Sequence, residues 1–96
     1  MNLGLVIGNV WATRKVDSLE GRRMLVVRPL RFDRSVAGDP IVALDTVDAG
    51  KGDHVIYVSS TEATIPFRPA LTPTDATIVG VVDRVDLESG SWRQEE

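Results

Sequence analysis

The 96-residue sequence contains no cysteine, which excludes disulfide bonds, thiolate metal sites and cysteine nucleophiles. It also has a single histidine and few aromatic residues, namely two Trp, one Tyr and two Phe. Its apolar runs are much shorter than the roughly 18 residues of a membrane span, and no basic segment precedes the first of them. We therefore expect a cytoplasmic protein without membrane association and without covalent cross-links.

Positive charge is not in excess, since 11 Lys and Arg stand against 14 Asp and Glu, a net charge of −3. A generally basic nucleic-acid binder is thereby excluded. The length predicts one domain over residues 1–87, followed by a C-terminal tail over residues 88–96. A chain of this size buries only about 60 to 65% of its unfolded surface, so association with further copies is expected.

The apolar segments are short, rich in valine and isoleucine, and separated by glycine and proline, a pattern typical of strands. Glycines inside the first and last segments predict bends. Three prolines between residues 61 and 75 predict a long loop before the last strand. The fold class is therefore all-β, a small five-stranded OB-like antiparallel β-barrel with a long loop before the last strand. The predicted strands cover residues 3–13, 23–32, 40–47, 54–60 and 76–87.

The first and last predicted strands are apolar on both faces. In the first, Leu3 and Leu5 alternate with Gly4 and Val6, so one face is large and the other small, and neither is polar. A barrel interior covers only one face of a strand. The second face is predicted to lie under either the long loop or another subunit.

No arrangement of residues predicts a reaction. His54 follows Asp53 at the start of a strand, where the two side chains point to opposite faces, so a surface histidine at the exit of a turn is expected. Ser59 and Ser60 lack the strand-to-helix elbow of a nucleophile. The aspartates near the turns are expected to be solvated. We predict no catalytic residue, no metal site, no cofactor and no enzyme.

A group of arginines gives the best case for nucleic-acid binding, because OB folds often hold their ligand on this part of the barrel. Binding of single strands also requires aromatic side chains for base stacking, and only Phe32 lies nearby. The arginines also alternate between the two faces. No nucleic-acid partner is predicted, and a monomeric OB-type binding module for an oligonucleotide or protein is kept as the alternative. The arginines in question are Arg22, Arg23, Arg28, Arg31 and Arg34.

Three stretches taken together resemble the EutN/CcmL family, the vertex proteins of bacterial microcompartment shells. Residues 4–15 read GLVIGNVWATRK and are followed by a Leu-x-Gly turn and by MLVVRPL over residues 24–30. Residues 42–55 read VALDTVDAGKGDHV, and residues 73–85 read PTDATIVGVVDRV. Each stretch alone is a glycine turn with valine-rich strands. In this order and at these separations, over residues 3–86, they are specific.

The resemblance implies an OB-like barrel that assembles as a cyclic homopentamer and caps the vertices of a polyhedral, carboxysome-like shell. It implies a structural protein located in the shell of a microcompartment in the cytoplasm. Its implied partners are hexameric or pseudohexameric shell proteins. A ring joins one patch to a different patch on the next copy, which agrees with strands that are apolar on two faces.

Two departures from the family pattern direct attention to candidate contacts. Residues 59–64 read SSTEAT where the family often has Gly-Ser-Ser-Ala-Arg, and Trp11 stands where the family tends to have a smaller residue. Trp11 is expected either to anchor an interface or to pack in the core. The tail is expected to be disordered or to place Trp92 on a neighbour. We predict a subunit interface at Asn9, Trp11, Thr13 and Arg14, and a loop face or pore-proximal position for Ser59, Ser60 and Glu62.

Overall fold

The computed structural model describes residues 1–11, 23–59 and 76–95. These residues form strands and turns and contain no helix, so none of them belongs to a helix that could cross a membrane. The strands are β1 (Asn2–Val10), β2 (Met24–Leu30), β3 (Ile41–Asp45), β4 (His54–Ser59), β5 (Ala76–Val81), β6 (Arg84–Leu87) and β7 (Gly90–Arg93).

The first five strands close into a barrel in the order β1-β2-β3-β5-β4, which confirms the predicted OB-like fold. Every neighbouring pair is antiparallel except β3 and β5, which run parallel. A parallel pair needs a crossover connection, and here the chain passes through β4 between the two strands.

The last predicted strand, 76–87, is wrong as a single element. The structure divides it into β5 and β6, with Val82 and Asp83 between them. The Val82 amide donates to the His54 carbonyl at 2.8 Å, and the Val82 side chain is buried, so the chain is held at this point while it leaves the barrel. β6 then pairs with β7 in a two-stranded hairpin through a turn at Glu88 and Ser89.

This hairpin lies across the predicted boundary at residue 87, and it differs from both expectations for the tail. Residues 90–93 form a strand, and Trp92 is buried within its own chain. The reason is pairing: Val85 lies opposite Trp92, which puts both apolar side chains on one face of the hairpin. The division into a domain over residues 1–87 and a tail over 88–96 stays a prediction.

The barrel interior is filled by side chains from all five strands and from the turn before β4. Gly4 allows this packing, because a Cβ at that position would overlap the Val27 side chain and lie 3.1 Å from the Tyr57 ring. Burial of the Tyr57 phenol raises its pKa above the usual 10.0. The interior cluster consists of Val6, Leu25, Val27, Ala43, Ala49, Val55, Tyr57, Ala76 and Ile78, with Ile41 packed against it.

Candidate assembly surfaces

The end of β1 carries the most exposed apolar side chain of the described residues. Trp11 follows the last residue of β1 and is 91% exposed, so packing into the core of its own chain is excluded. Asn9 is exposed as well. Thr13 and Arg14, predicted at the same boundary, lie outside the described residues. An exposed indole is costly in water and is a frequent anchor of protein interfaces.

A β-bulge changes the face that β1 presents beyond Val6. Val6 pairs with Val27 but Gly8 pairs with Val26, so Ile7 is the extra residue. Val26 also pairs with Val42 on β3. Leu25 and Val27 point into the barrel, so Val26 between them points outward, and Val42 is partly exposed. We call Gly8, Val26 and Val42 the open row; it crosses three strands and is apolar throughout.

The outer surface of the other half of β1 is covered. Leu3 lies between Leu30 on β2 and Ile56 on β4 in the strand pairing, and all three pack in one cluster. Val85 and Trp92 of the hairpin belong to the same cluster. In this half of β1, the second apolar face therefore lies under the chain's own β6–β7 hairpin, and not under the long loop or another subunit as predicted.

Trp92 is the centre of that contact. It is 5% exposed, and its indole Nε1 donates to the Phe32 carbonyl at 2.7 Å. The His54 ring lies 4.7 Å from it, centroid to centroid, and the Arg34 guanidinium lies 4.8 Å from its ring centroid. Arg34 adopts a positive φ of 75°, a conformation that is costly for a residue with a side chain. The cation–π contact offsets part of that cost.

His54 is not the surface residue that the sequence predicted, since it is 9% exposed under the hairpin. Its backbone amide donates to Gln94 Oε1 at 2.8 Å, and its ring Nδ1 contacts the same oxygen. An amide oxygen only accepts, so the Nδ1 nitrogen carries a proton. Gln94 Nε2 donates in turn to Asp53 at 3.0 Å. One glutamine side chain thus ties the segment after β7 to the start of β4.

Of the four described arginines of the predicted group, Arg28 lies within β2, and the other three contact partners within the chain. Arg23 donates to Asp45 at 3.0 Å and to Asp48 at 2.8 Å. Arg31 donates to the Val36 carbonyl at 2.7 Å. Together with Arg34, which stacks on Trp92, these arginines stabilise loops and the hairpin. Arg22 lies outside the described residues.

Ser59 lies at the end of β4, far from Asn9. β4 is the direct neighbour of β1 in the closed barrel, and their antiparallel register pairs Asn2 with Tyr57, so Ser59 lies beyond the start of β1 while Asn9 lies near its other end. Ser60 and Glu62 lie outside the described residues. The structure therefore places Asn9 and Trp11 together and keeps Ser59 apart from them.

No group of three or more potential metal ligands occurs in the part of the chain that the structure describes. The sequence did not predict that His54, Trp92 and Gln94 form one cluster. A signal was present, because Val85 and Leu87 alternate with charged residues before the turn sequence Glu88-Ser89-Gly90, and the apolar Trp92 follows it.

Comparison with known proteins supplies the context for these surfaces. The family model described as "Ethanolamine utilisation protein EutN/carboxysome" matches residues 1–83. The bacterial microcompartment shell vertex protein GrpN of Rhodospirillum rubrum is 40% identical over 86 residues, which cover 90% of this chain and 97% of GrpN. The carboxysome shell vertex protein CcmL of Thermosynechococcus vestitus is 33% identical over 89 residues, covering 93% of this chain and 90% of CcmL.

Structural comparison gives the same relatives. The solved structure described as the GrpN pentameric microcompartment shell protein from Rhodospirillum rubrum matches with a TM-score of 0.77 and 40% identity. The match covers 86% of this chain and 94% of that one.

Proposed function

The chain belongs to the EutN/CcmL family, and on that premise we propose that it is a homopentameric subunit that caps vertices and closes the polyhedral shell of a bacterial microcompartment. The observation that carries this proposal is the likeness to the pentameric GrpN shell protein, at 40% identity over most of both chains. The protein is a structural component rather than an enzyme, like the shell vertex proteins that it resembles.

The geometry of the barrel supports ring formation. A ring needs two different patches on each subunit that meet when a rotation is repeated until it closes. The open row provides one apolar patch that the hairpin leaves accessible, and the exposed Trp11 side chain just after β1 provides a second apolar feature. Complete burial of an indole removes about 150 to 250 Å² from water, which favours association by about 4 to 6 kcal/mol before ordering costs. We infer that Trp11 and the open row both contribute to the interfaces between subunits.

The remaining predicted residues extend the proposal in two directions. Thr13 and Arg14 follow Trp11 directly and are proposed as part of the same subunit boundary, together with Asn9. Ser59 ends β4 and Ser60 and Glu62 come after it in the sequence; all three are proposed for a loop face near the pore. Glu62 gives this loop a negative charge where the family often has an arginine.

Hexameric or pseudohexameric shell proteins are the proposed partners, in a shell located in the cytoplasm. A lattice of hexagonal tiles is flat, and pentagonal units are needed for it to curve and close. The mechanical role of the protein follows from its five-fold symmetry and not from any reaction.

Native mass spectrometry of the purified protein tests the proposal first. We expect a species at five times the 10.5 kDa chain mass. Mixing that species with purified hexameric shell protein should then convert open sheets into closed shells in electron micrographs. A monomer at micromolar concentration would overturn the proposal. It would favour the alternative binding module, which fluorescence anisotropy with labelled single-stranded oligonucleotides would then test.

A further inference from the structure

The β6–β7 hairpin lies over an apolar surface that the closed barrel does not need for its interior. We call this surface the covered face and define it as Leu3, Leu5, Leu30 and Ile56. These side chains belong to a cluster separate from the barrel core, and their partners in it are Val82, Val85 and Trp92. β1 therefore has the barrel core on its inner face and the separate cluster shared with the hairpin on its outer face.

The contacts of the hairpin with the barrel centre on Trp92 and Gln94. Its strands pair only with each other among the described residues. Trp92 donates its indole hydrogen bond to Phe32 and contacts the His54 ring and the Arg34 guanidinium. Gln94 bridges His54 and Asp53, and Val85 packs in the same cluster as Trp92. The Gln94 amide donates to the Asp83 carbonyl at 2.9 Å, which closes the hairpin itself. Only Val82 and Asp83 connect it to β5.

The hairpin also begins where the family match ends. The family model covers residues 1–83, and β6 starts at Arg84. The family model thus covers the barrel strands, while the solved EutN structure from Escherichia coli matches the whole chain with a TM-score of 0.86, so the hairpin belongs to the shared fold.

We propose that the β6–β7 hairpin is an autoinhibitory cover, which withholds the covered face from contact with other copies and so restricts self-association to the ring. This proposal rests on the proposed function, because ring assembly is the process that the cover directs. A subunit with the covered face free would have two apolar outer surfaces on β1, the covered face and the open row. Contacts through the first would not share the rotation that closes the ring, and they would lead to open assemblies.

Two variants release the cover to different degrees, and one variant is a matched control. Trp92→Ala removes the anchor and its hydrogen bond. Gln94→Ala removes the bridge to His54 and Asp53 but keeps the apolar contact. Glu88→Ala changes an exposed residue in the turn of the same hairpin and should leave the cover closed.

Two measurements are made on each variant and on the unmodified protein. Trypsin cleavage after Arg84 and Arg93, which lie within the hairpin, reports opening of the cover through the masses of the C-terminal fragments. We expect cleavage roughly tenfold or more faster in Trp92→Ala, faster by a smaller factor in Gln94→Ala, and unchanged in Glu88→Ala. Native mass spectrometry should show species larger than the ring in the same order.

Either of two results overturns the proposal: faster cleavage without larger species, or larger species without faster cleavage. If Trp92→Ala fails to fold, as judged by circular dichroism, Gln94→Ala decides by the same criteria. The outcome is separate from that of the proposed function, because the latter depends on the mass of the unmodified protein. If that protein is monomeric, pentamer formation fails as a proposal, and the cover is still tested by whether its release produces association.

Discussion

At the scale of single residues, the two glycines of β1 look equivalent in the sequence but have different roles in the structure. A Cβ at Gly4 would overlap Val27 and press on the Tyr57 ring inside the barrel. A Cβ at Gly8 would have no atom within 4 Å. Gly4 is therefore required by packing. Gly8 follows the bulge and adds no protruding side chain to the open row.

We expect Gly4→Ala to lower the free energy of unfolding by about 1 to 3 kcal/mol, because the added methyl group has to displace buried side chains. Gly8→Ala serves as the matched control on the same strand, with a cost below about 1 kcal/mol. Urea unfolding of protein diluted until it is monomeric measures both, because Gly8 lies in the proposed interface and association would contribute to apparent stability. Equal losses in the two variants would contradict the packing explanation.

At the scale of elements, the β6–β7 hairpin is stabilised by polar contacts around Asp86 on its exposed face. The Ser91 hydroxyl donates to Asp86 at 2.6 Å, and Arg84 Nε donates to it at 2.8 Å. These hydrogen bonds favour the carboxylate and lower the pKa of Asp86 below its ordinary value of 3.8, the serine hydroxyl having the largest effect.

The sign of the pH dependence follows from that direction. The pKa is lower in the folded protein, so the stabilisation is complete above 3.8 and is lost as the pH falls through the folded value. We expect the hairpin of the unmodified protein to open more readily as the pH falls from about 5 to about 2. The Asp86→Asn variant should be more open at about pH 5 and should change less on acidification.

Protection of the Trp92 indole N–H from hydrogen exchange measures this opening by NMR, because that group donates to Phe32 only while the hairpin is closed. An identical pH profile in both proteins would show that Asp86 does not contribute to closure.

At the scale of the whole molecule, Trp11 distinguishes a free barrel from one that assembles. In the single chain Trp11 is 91% exposed and does not pack in the core. In the proposed ring it would contact another copy. An aromatic anchor at an interface commonly contributes 2 kcal/mol or more, so roughly a thirtyfold change in the dissociation constant is the expected scale.

Trp11→Ala should therefore weaken the pentamer by roughly thirtyfold or more at each interface, without lowering the stability of the monomeric barrel. Trp11→Phe is the conservative control and should retain most of the association. Mass photometry over a dilution series measures the dissociation, and chemical unfolding of the dilute protein checks the barrel. Unchanged dissociation in Trp11→Ala would remove this residue from the interface.

The sequence by itself determined the five barrel strands, because short valine-rich segments between glycine and proline form local patterns that strand geometry alone explains. Each of the five barrel strands overlaps its predicted segment, and the family followed from the order and spacing of three motifs. The exposed position of Trp11 at the end of β1 was one of two interpretations that the sequence allowed.

Only the tertiary structure decided which surfaces remain available. The sequence showed that β1 is apolar on both faces, but the cover over its first half comes from residues 84–93, about 80 positions further along the chain. The same docking buries His54, which its local sequence had predicted at the surface. The alternation of side chains along a strand indicates that an apolar face must be covered. The alternation does not indicate which distant segment covers that face, because the covering segment is decided by the three-dimensional position of the hairpin after the barrel has closed.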